Sequence, residues 1–543
     1  MRLSALGSPY ERRHQAAGFG LEYYSTFTVG QLAIPISLTV ALLFGFAVLL
    51  LIPIADIFLY NFDEGFEVTR ATLQNQGYVL YKEIWSDQPP LFSLLLSTWL
   101  KLFGNSIFWA RALVVLFGSI LVFFFHRTIR FFFNNKAALF GTVLLIFSRD
   151  FIKLLVQVKI DIPALAIAMA AIHFFILSVH SRKPTHAKAL ALIAGVLACL
   201  ALQTKLFTIA IIPVLLIYAL IRVIQAKSPQ VRKTLIEVVI WCAGSCVIVG
   251  SLSLVLYYLA YGGNFIDQLL VSHVEAGGSF QELSFTHMLT QAMKADPFFW
   301  LITAVSLAIA PFSRYRNRLY FAYIWLLFNL AFFYKHQPIW PHYYLLFALP
   351  MAWIASFTLF SFQHSKLRHH LIKPQMLGIT SRSLYQVSLL SLIVFILTVY
   401  PARDLKFFIT GQHNLQQVTK AEDVRLQVLD HLAEYAPATN WLATDYAMMG
   451  FYANLKVPPE LAVLSRKRVL AQDFDGEDFL HVIQNYQPEQ IVLGRFVEGR
   501  FERPFLANAA LKQYLYRYYI ELPSTDRNTS TFHHFVSKRI TQS

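Results

Sequence analysis

Two adjacent carboxylates, Asp63 and Glu64, follow a predominantly apolar run from Ala33 to Leu59. Ionisable groups are costly next to hydrocarbon, so an acid pair at the end of a predicted membrane span indicates chemistry rather than packing. A second polar stretch, Asp87-Gln88-Pro89-Pro90-Leu91, marks the point where the chain returns to apolar sequence, and a further carboxylate, Asp161, opens another apolar run. The sequence therefore predicts a group of acids at one membrane face.

Asp63 is the first choice for a general base, with Glu64 and Asp161 as further catalytic candidates. A carboxylate takes a proton from an attacking hydroxyl best when its pKa lies near the working pH, and partial burial beside a membrane is expected to raise the pKa of Asp63. The structural alternatives are ordinary helix signals. Asp63 could cap a helix that starts near Glu64, and Asp161 could cap one with Pro163 just inside its first turn.

Basic and aromatic side chains in the same outer segments could bind an anionic lipid headgroup. The predicted substrate-binding residues are Lys159, His336, His342, Arg149, Gln88, Asp87 and Tyr343. Their alternatives are solvated loop charges for Lys159 and Arg149 and an interfacial aromatic belt for the Pro341-His342-Tyr343 stretch.

The composition shows what must position these residues. The 543-residue chain is 56% hydrophobic and 14% charged, whereas soluble proteins carry about 25% charged residues. The net charge of +15 belongs to the first 400 residues, because the segment from Pro401 onward holds equal numbers of acidic and basic residues. That distribution is typical of membrane topology and argues against nucleic acid as a partner.

The fold class predicted is a polytopic α-helical membrane protein with about eleven spans, plus or minus two. With a cytoplasmic N-terminus, the inner loops hold 20 Lys and Arg against 8 in the outer loops, which satisfies the positive-inside rule. Residues 1–400 form the predicted transmembrane domain with a first outer loop at 60–105. Within that loop, the apolar piece from Leu91 to Phe103 is predicted to be an embedded outer helix, because counting it as a span would reverse every later loop.

Residues 401–543 are predicted to form a small extracytoplasmic α/β domain. Helical spacing runs from Ala421 to Tyr435, strand patterns occur at Asn440–Asp445 and Gln490–Leu493, and Asp475 is typical of a helix start. The predicted location is therefore a plasma (inner) membrane of a cell envelope, with the C-terminal domain outside.

At these residues the sequence resembles the polyprenyl-phosphate-sugar-dependent membrane glycosyltransferases of the C superfamily, above all the bacterial protein-mannosyltransferase-like and aminoarabinose-transferase-like branch. The matching pieces are Asp63-Glu64, Asp87-Gln88-Pro89-Pro90-Leu91, Lys159-Ile160-Asp161-Ile162-Pro163 and Pro341-His342-Tyr343-Tyr344.

The resemblance implies inverting transfer of a sugar from a polyprenyl monophosphate to an acceptor at the outer membrane face. In that scheme Asp63 is the base or the acid that positions the acceptor, Asp161 supports the site, and Lys159 and His336 hold the leaving phosphate. Many relatives have Lys where this chain has Gln88, which supplies no charge, so phosphate neutralisation must come from another residue.

Several alternatives stay open at the level of sequence. A lipid or sugar-lipid transporter without catalysis would also use many helices and intramembrane charges, and a non-catalytic scaffold would tolerate the loss of Asp63. The sugar and the acceptor, whether protein, lipid or glycan, are not indicated. No sequence motif indicates a cofactor. Acids at one membrane face could hold a divalent cation, and the sequence does not decide whether the protein binds one.

Overall fold

The structure is a computed structural model of the chain. It describes residues 26–29, 32–271, 284–313, 315–336, 339–364, 424–470, 473–498, 501–523 and 532–541. A short antiparallel hairpin, β1 (Thr26–Val29) and β2 (Leu32–Pro35), precedes the first helix.

The described residues between 36 and 364 are mostly helical, and we call this part of the chain the helical half. Its helices are α1 (Ile36–Leu51), α2 (Phe62–Asn75), α3 (Pro90–Phe103), α4 (Ile107–Phe132), α5 (Asn135–Ile146), α6 (Phe151–Leu155), α7 (Asp161–His180), α8 (Pro184–Thr204), α9 (Ile211–Gln225), α10 (Pro229–Tyr261), α11 (Phe285–Ala295), α12 (Pro297–Ile309), α13 (Tyr320–Phe333) and α14 (Tyr344–His364). A 3₁₀ turn at Leu206–Ala210 leads into α9, and another at Pro341–Tyr343 leads into α14.

Within the described residues, six helices are long and apolar enough to cross a membrane, or seven if the bent pair α11–α12 counts as one span. The predicted count of about eleven is therefore not confirmed. Three shorter apolar helices, α1, α3 and α5, also lie within the predicted transmembrane domain. The last apolar run that the predicted count of eleven includes, residues 384–399, lies outside the described residues.

The sequence suggested that the first apolar run, Ala33 to Leu59, forms one continuous helix. In the structure it does not. Helix α1 ends at Leu51, just before Pro53, which has no N–H to donate and disfavours helical geometry in the residue before it. The remaining apolar residues form an irregular segment. Its carbonyls at Ile54 and Ile57 accept hydrogen bonds from the guanidinium of Arg111.

Helices α7 and α14 lie at the centre of the helical half. The apolar stretches of α7 and α14 are 83% and 94% buried inside the protein, whereas that of α10 is only 11% buried. Helix α7 packs between α4 and α8, and α14 packs against α12 and α5. The two enclosed helices begin next to Asp161 and His342, so the core of the bundle fixes the positions of both predicted site residues.

The C-terminal segment contains both helices and a sheet. Its elements are α15 (Val424–Tyr435), β3 (Leu442–Thr444), α16 (Met448–Ala453), α17 (Arg466–Leu470), α18 (Gly476–Tyr486), β4 (Gln490–Leu493), α19 (Ala509–Tyr518), β5 (Tyr519–Glu521), β6 (His533–Ser537) and α20 (Lys538–Thr541). The sheet order is β3-β4-β6-β5, with β3 and β4 parallel and the other pairs antiparallel. A capping box at Asp475 starts α18, as its sequence predicted.

Candidate active site

Five ionisable side chains from four separate stretches form a continuous chain of contacts. Asp63 Oδ2 lies 3.0 Å from Lys159 Nζ, which lies 3.3 Å from His342 Nδ1. His342 Nε2 lies 3.7 Å from Asp161 Oδ1, and Lys205 Nζ bonds that same oxygen at 2.8 Å. We call Asp63, Lys159, Asp161, Lys205 and His342 the ionic cluster. The structure thus brings together two of the three predicted catalytic acids, Asp63 and Asp161, and two of the predicted binding residues, Lys159 and His342.

Asp63 is the most exposed of the five side chains of the ionic cluster. The side chain of Asp63 is 46% exposed, whereas those of Lys159 and Asp161 are 7% and 2% exposed. Lys205 and His342 are largely buried as well. A substrate arriving from solvent would therefore meet Asp63 first, with the ammonium groups behind it.

The local helix signals position Asp63 without using its carboxylate. Asn61 is the N-cap of α2, and its side-chain oxygen accepts a hydrogen bond from the backbone N–H of Asp63 at 3.1 Å. Asp63 falls in the first turn, where the helix dipole favours a negative charge. The alternative role of Asp63 as the cap is therefore filled by Asn61, and the Asp63 carboxylate faces Lys159 instead.

The pKa of Asp63 is lowered, contrary to the sequence-based expectation. Burial of one side of the carboxyl would raise its pKa, but the ammonium of Lys159 outweighs that effect, with a further contribution from the guanidinium of Arg495. For Lys159, burial opposes the charged form, and the carboxylates of Asp63 and Asp161 outweigh it, so its pKa is raised. Both groups are therefore charged at neutral pH.

Glu64 is placed away from the exposed end of the cluster. Its carboxylate accepts two hydrogen bonds from Arg111, at 2.8 and 2.7 Å, and both side chains are fully buried. It also accepts from the backbone N–H groups of Tyr60 and Val158. A carboxylate with four donors has little capacity left for a substrate. We assign Glu64 a positioning role, because it ties the start of α2 to the residue before Lys159.

Asp161 is the first residue of α7, and Ile160, not Asp161, occupies the N-cap position. Asp161 Oδ1 bonds Lys205, whereas the buried Oδ2 has no hydrogen-bond partner among the described residues. A buried carboxylate oxygen without a partner is costly, so it favours a ligand or water at this point.

Lys205 is the principal residue that the sequence analysis missed. It lies between α8 and the 3₁₀ turn at Leu206–Ala210, and its ammonium stands over the rings of Phe207 and Tyr343 at 4.8 and 5.4 Å. Burial lowers its pKa despite the neighbouring Asp161. The sequence does show Lys205 as a single lysine between two long apolar runs, and ionisable residues in such positions usually have a function.

The remaining predicted residues lie around the cluster. Tyr343 forms its wall beside Lys205, and the exposed His336 has its ring 6.3 Å from that of Tyr343. Asp87 pairs with Lys467 of the C-terminal segment at 3.4 Å, and the backbone carbonyl of Gln88 accepts from the hydroxyl of Tyr81.

Arg149 also stands apart from the cluster contacts. Its guanidinium pairs with Asp150 at 3.3 Å, and its backbone N–H donates to Asp296. As for a metal, no group of three or more His, Cys, Asp or Glu side chains in the described part of the chain could hold one.

Residues 87–258 match the family model described as dolichyl-phosphate-mannose-protein mannosyltransferase. The fold is similar to that of ArnT from Cupriavidus metallidurans bound to undecaprenyl phosphate, with a TM-score of 0.59 over 92% of this chain and 97% of that one, at 15% identity. It is also similar to the oligosaccharyltransferase AglB from Archaeoglobus fulgidus, with a TM-score of 0.57 over 93% of this chain and 74% of that one, at 13% identity. No curated protein matches the chain.

The predicted resemblance is confirmed. The family model is described as a mannosyltransferase of dolichyl-phosphate-mannose, and the two similar structures hold undecaprenyl phosphate and a dolichol phosphate. The family model spans the segment that holds Asp87, Lys159, Asp161 and Lys205, and the shared fold extends over nearly the whole chain.

Proposed function

We propose that the protein is an inverting glycosyltransferase that moves a sugar from a polyprenyl monophosphate to an acceptor at the outer face of the membrane. The observation that carries this proposal is the ionic cluster, in which one half-exposed carboxylate stands in front of two buried ammonium groups. That order matches the needs of the reaction, since a proton must be removed on one side of the sugar and a phosphate stabilised on the other.

In the proposed reaction the acceptor hydroxyl oxygen forms a bond to the anomeric carbon while the bond from that carbon to the phosphate oxygen breaks. The bonding electrons pass to the departing phosphate, and the hydroxyl proton passes to Asp63. Because the pKa of Asp63 is low, its carboxylate is ionised throughout the neutral range and orients the hydroxyl, and the proton transfers as the new bond forms.

Lys159 and Lys205 supply the charge that Gln88 lacks. Each ammonium has three N–H donors. Among the described residues Lys159 contacts Asp63 and His342, and Lys205 contacts Asp161. The remaining donors could bind phosphate oxygens, and their value rises in a buried, low-dielectric setting.

His342 helps to hold the two ammonium groups in place. An ammonium cannot accept a hydrogen bond, so the contact with Lys159 requires His342 Nδ1 to be the acceptor. The neutral ring then carries its proton on Nε2, which faces Asp161. This arrangement links the two ion pairs without adding a further charge between them.

The proposal includes a topology. The N-terminus lies in the cytoplasm of a multi-pass plasma (inner) membrane protein, and the segment 401–543 lies outside, where it contacts the acceptor. The donor is a polyprenyl-phosphate sugar, which the fold shared with an undecaprenyl-phosphate-bound structure supports. The acceptor is a protein, lipid or glycan, and phosphate charge is neutralised by lysines.

The test is incubation of the purified protein in liposomes with a panel of polyprenyl-phosphate sugars. Chromatography of the lipid fraction measures the free polyprenyl phosphate that sugar transfer releases. Consumption of one donor, with inversion at the anomeric carbon of the product, is expected. A transporter would instead move intact donor between leaflets and release no polyprenyl phosphate, and that result would overturn the proposal.

A further inference from the structure

The C-terminal segment packs directly on α2, the helix that carries Asp63. A Cβ added to Gly65 would lie 3.0 Å from the backbone nitrogen of Met448, so the two backbones approach closely at this point. Thr69 Oγ1 donates to the carbonyl of Ala447 at 3.2 Å, and the hydroxyl of Tyr452 donates to Ile57 O at 3.4 Å. Helix α16 therefore packs directly against α2.

This contact brings Arg495 next to the first turn of α2. The Arg495 guanidinium carbon lies 4.4 Å from the centre of the Phe62 ring and 5.2 Å from that of Phe66. Phe62 directly precedes Asp63 in the chain. One guanidinium nitrogen of Arg495 donates to Leu464 O at 2.9 Å.

The turn that presents Arg495 is fixed by a buried carboxylate. Asp445 accepts hydrogen bonds from the backbone N–H groups of Gly494, Arg495 and Phe496, at 2.8, 2.9 and 2.7 Å. A Cβ at Gly494 would lie 2.0 Å from the ring of Phe532, so any other residue there requires that ring to move. The ring stack and the fixed backbone together hold the guanidinium in one place.

We propose that Arg495 is a positioning residue of the transfer reaction: by packing on the rings of Phe62 and Phe66 it fixes the first turn of α2, which carries Asp63, and it brings a second cation from the C-terminal segment near that carboxylate. This inference rests on the proposed function. It makes the site a joint product of the two halves of the chain, with Lys159 from the helical half and Arg495 from the C-terminal half. Docking of the C-terminal domain on α2 is then required to orient Asp63 for catalysis.

The charge environment agrees with this assignment. Arg495 lowers the pKa of Asp63, and Asp63 and Asp445 partly offset the fall that burial causes in the pKa of Arg495. The other titratable groups that act on Asp63 or Arg495, or that Asp63 acts on, are Lys159, His342, Glu67, Lys205, Tyr343, Tyr446 and Arg466.

The test compares Arg495→Gln with Arg495→Lys and with Arg517→Gln. Arg517 is a matched control, since it is an arginine of the same half of the chain whose guanidinium also lies over an aromatic ring, that of Tyr518 at 5.4 Å, but it is exposed. The measurements are kcat and the donor KM from polyprenyl phosphate release, the pH profile of kcat/KM, and thermal unfolding of each variant.

We expect Arg495→Gln to lower kcat about tenfold with little change in donor KM, because the base is misplaced and donor binding is not touched. The acidic limb of the profile should move up by about 0.5 to 1 pH unit, since loss of a cation disfavours ionised Asp63. Arg495→Lys should leave that limb near the wild-type position, and Arg517→Gln should change neither kcat nor the limb.

An Arg495→Gln variant with wild-type kcat and an unmoved acidic limb would overturn the inference. So would equal losses in the Gln and Lys variants with unmoved limbs, which would show that Arg495 only fastens the domain. If Arg495→Gln does not fold, Arg495→Lys decides, because a shifted limb in that charge-conserving variant contradicts the assignment. Absence of turnover of every donor by the wild-type protein would count against the proposed function itself.

Discussion

Lys205 can stabilise the fold by neutralising Asp161, and it can bind the leaving phosphate. Replacing Lys205 with methionine, alone and together with Asp161→Leu, separates these two roles. Lys205 neutralises Asp161, whose side chain is 2% exposed and whose Oδ2 has no partner among the described residues. Removing the ammonium alone leaves a buried carboxylate without its main counter-charge. Breaking a buried ion pair in this way costs about 3–5 kcal/mol of stability.

The catalytic loss has a different origin. If Lys205 binds the leaving phosphate, its removal takes away a preorganised donor from the developing charge, which costs about 10²- to 10³-fold in kcat, or about 2.7–4 kcal/mol. The double variant Asp161→Leu/Lys205→Met distinguishes the two effects. An apolar pair of similar volume should recover most of the stability, whereas turnover should stay at least about 100-fold down.

The assay measures thermal unfolding in detergent together with polyprenyl phosphate release in liposomes. The product polyprenyl phosphate should also inhibit both Lys205 variants at least about tenfold more weakly, because the phosphate loses a charged partner. Recovery of both stability and turnover in the double variant would refute the reasoning, since it would show that Lys205 serves only to neutralise Asp161. Lys205→Arg, which keeps the charge, is the matched control.

Three further changes test other parts of the site. Glu64→Gln should destabilise the protein by about 3 kcal/mol, because it leaves Arg111 buried without its carboxylate; an unchanged melting curve would contradict that role. Gly65→Val should lower both the melting temperature and turnover, through overpacking worth about 1–3 kcal/mol against the C-terminal segment, and unimpaired turnover would show that the contact is not needed. Lys159→Met should shift the acidic limb of the kcat/KM profile upward by about 1 pH unit, because Asp63 loses the cation that lowers its pKa; a limb that stays in place would exclude Asp63 as the titrating group.

The sequence predicted the elements of the site better than its electrostatics. Each apolar run is visible in composition, so helices such as α7 and α14 were predictable, and so was the strand Gln490–Leu493. The short strands β5 and β6 carry no strong pattern and were missed. Helix α1 was overextended because an apolar run conceals the effect of Pro53.

The charge contacts depend on distances that no sequence pattern encodes. Whether Asp63 has a raised or a lowered pKa depends on burial against the proximity of Lys159, and the structure shows that proximity wins. Glu64 looks equivalent to Asp63 in sequence, yet the rotation of about 100° between adjacent helical residues directs it to Arg111 and away from solvent. Arg495 lies 432 positions after Asp63 in the chain, and only the docking of the C-terminal segment brings the two together.

The most direct measurement is the rate of polyprenyl phosphate release by Asp63→Asn, compared with Asp56→Asn and the wild-type protein in the same liposomes. Asp56 is an exposed acid in the segment just before α2, so its variant controls for the loss of one nearby charge. We expect a loss of about 10²- to 10⁴-fold for Asp63→Asn, with normal folding and insertion, and wild-type turnover for Asp56→Asn. Release at the wild-type rate by correctly folded Asp63→Asn would contradict the account.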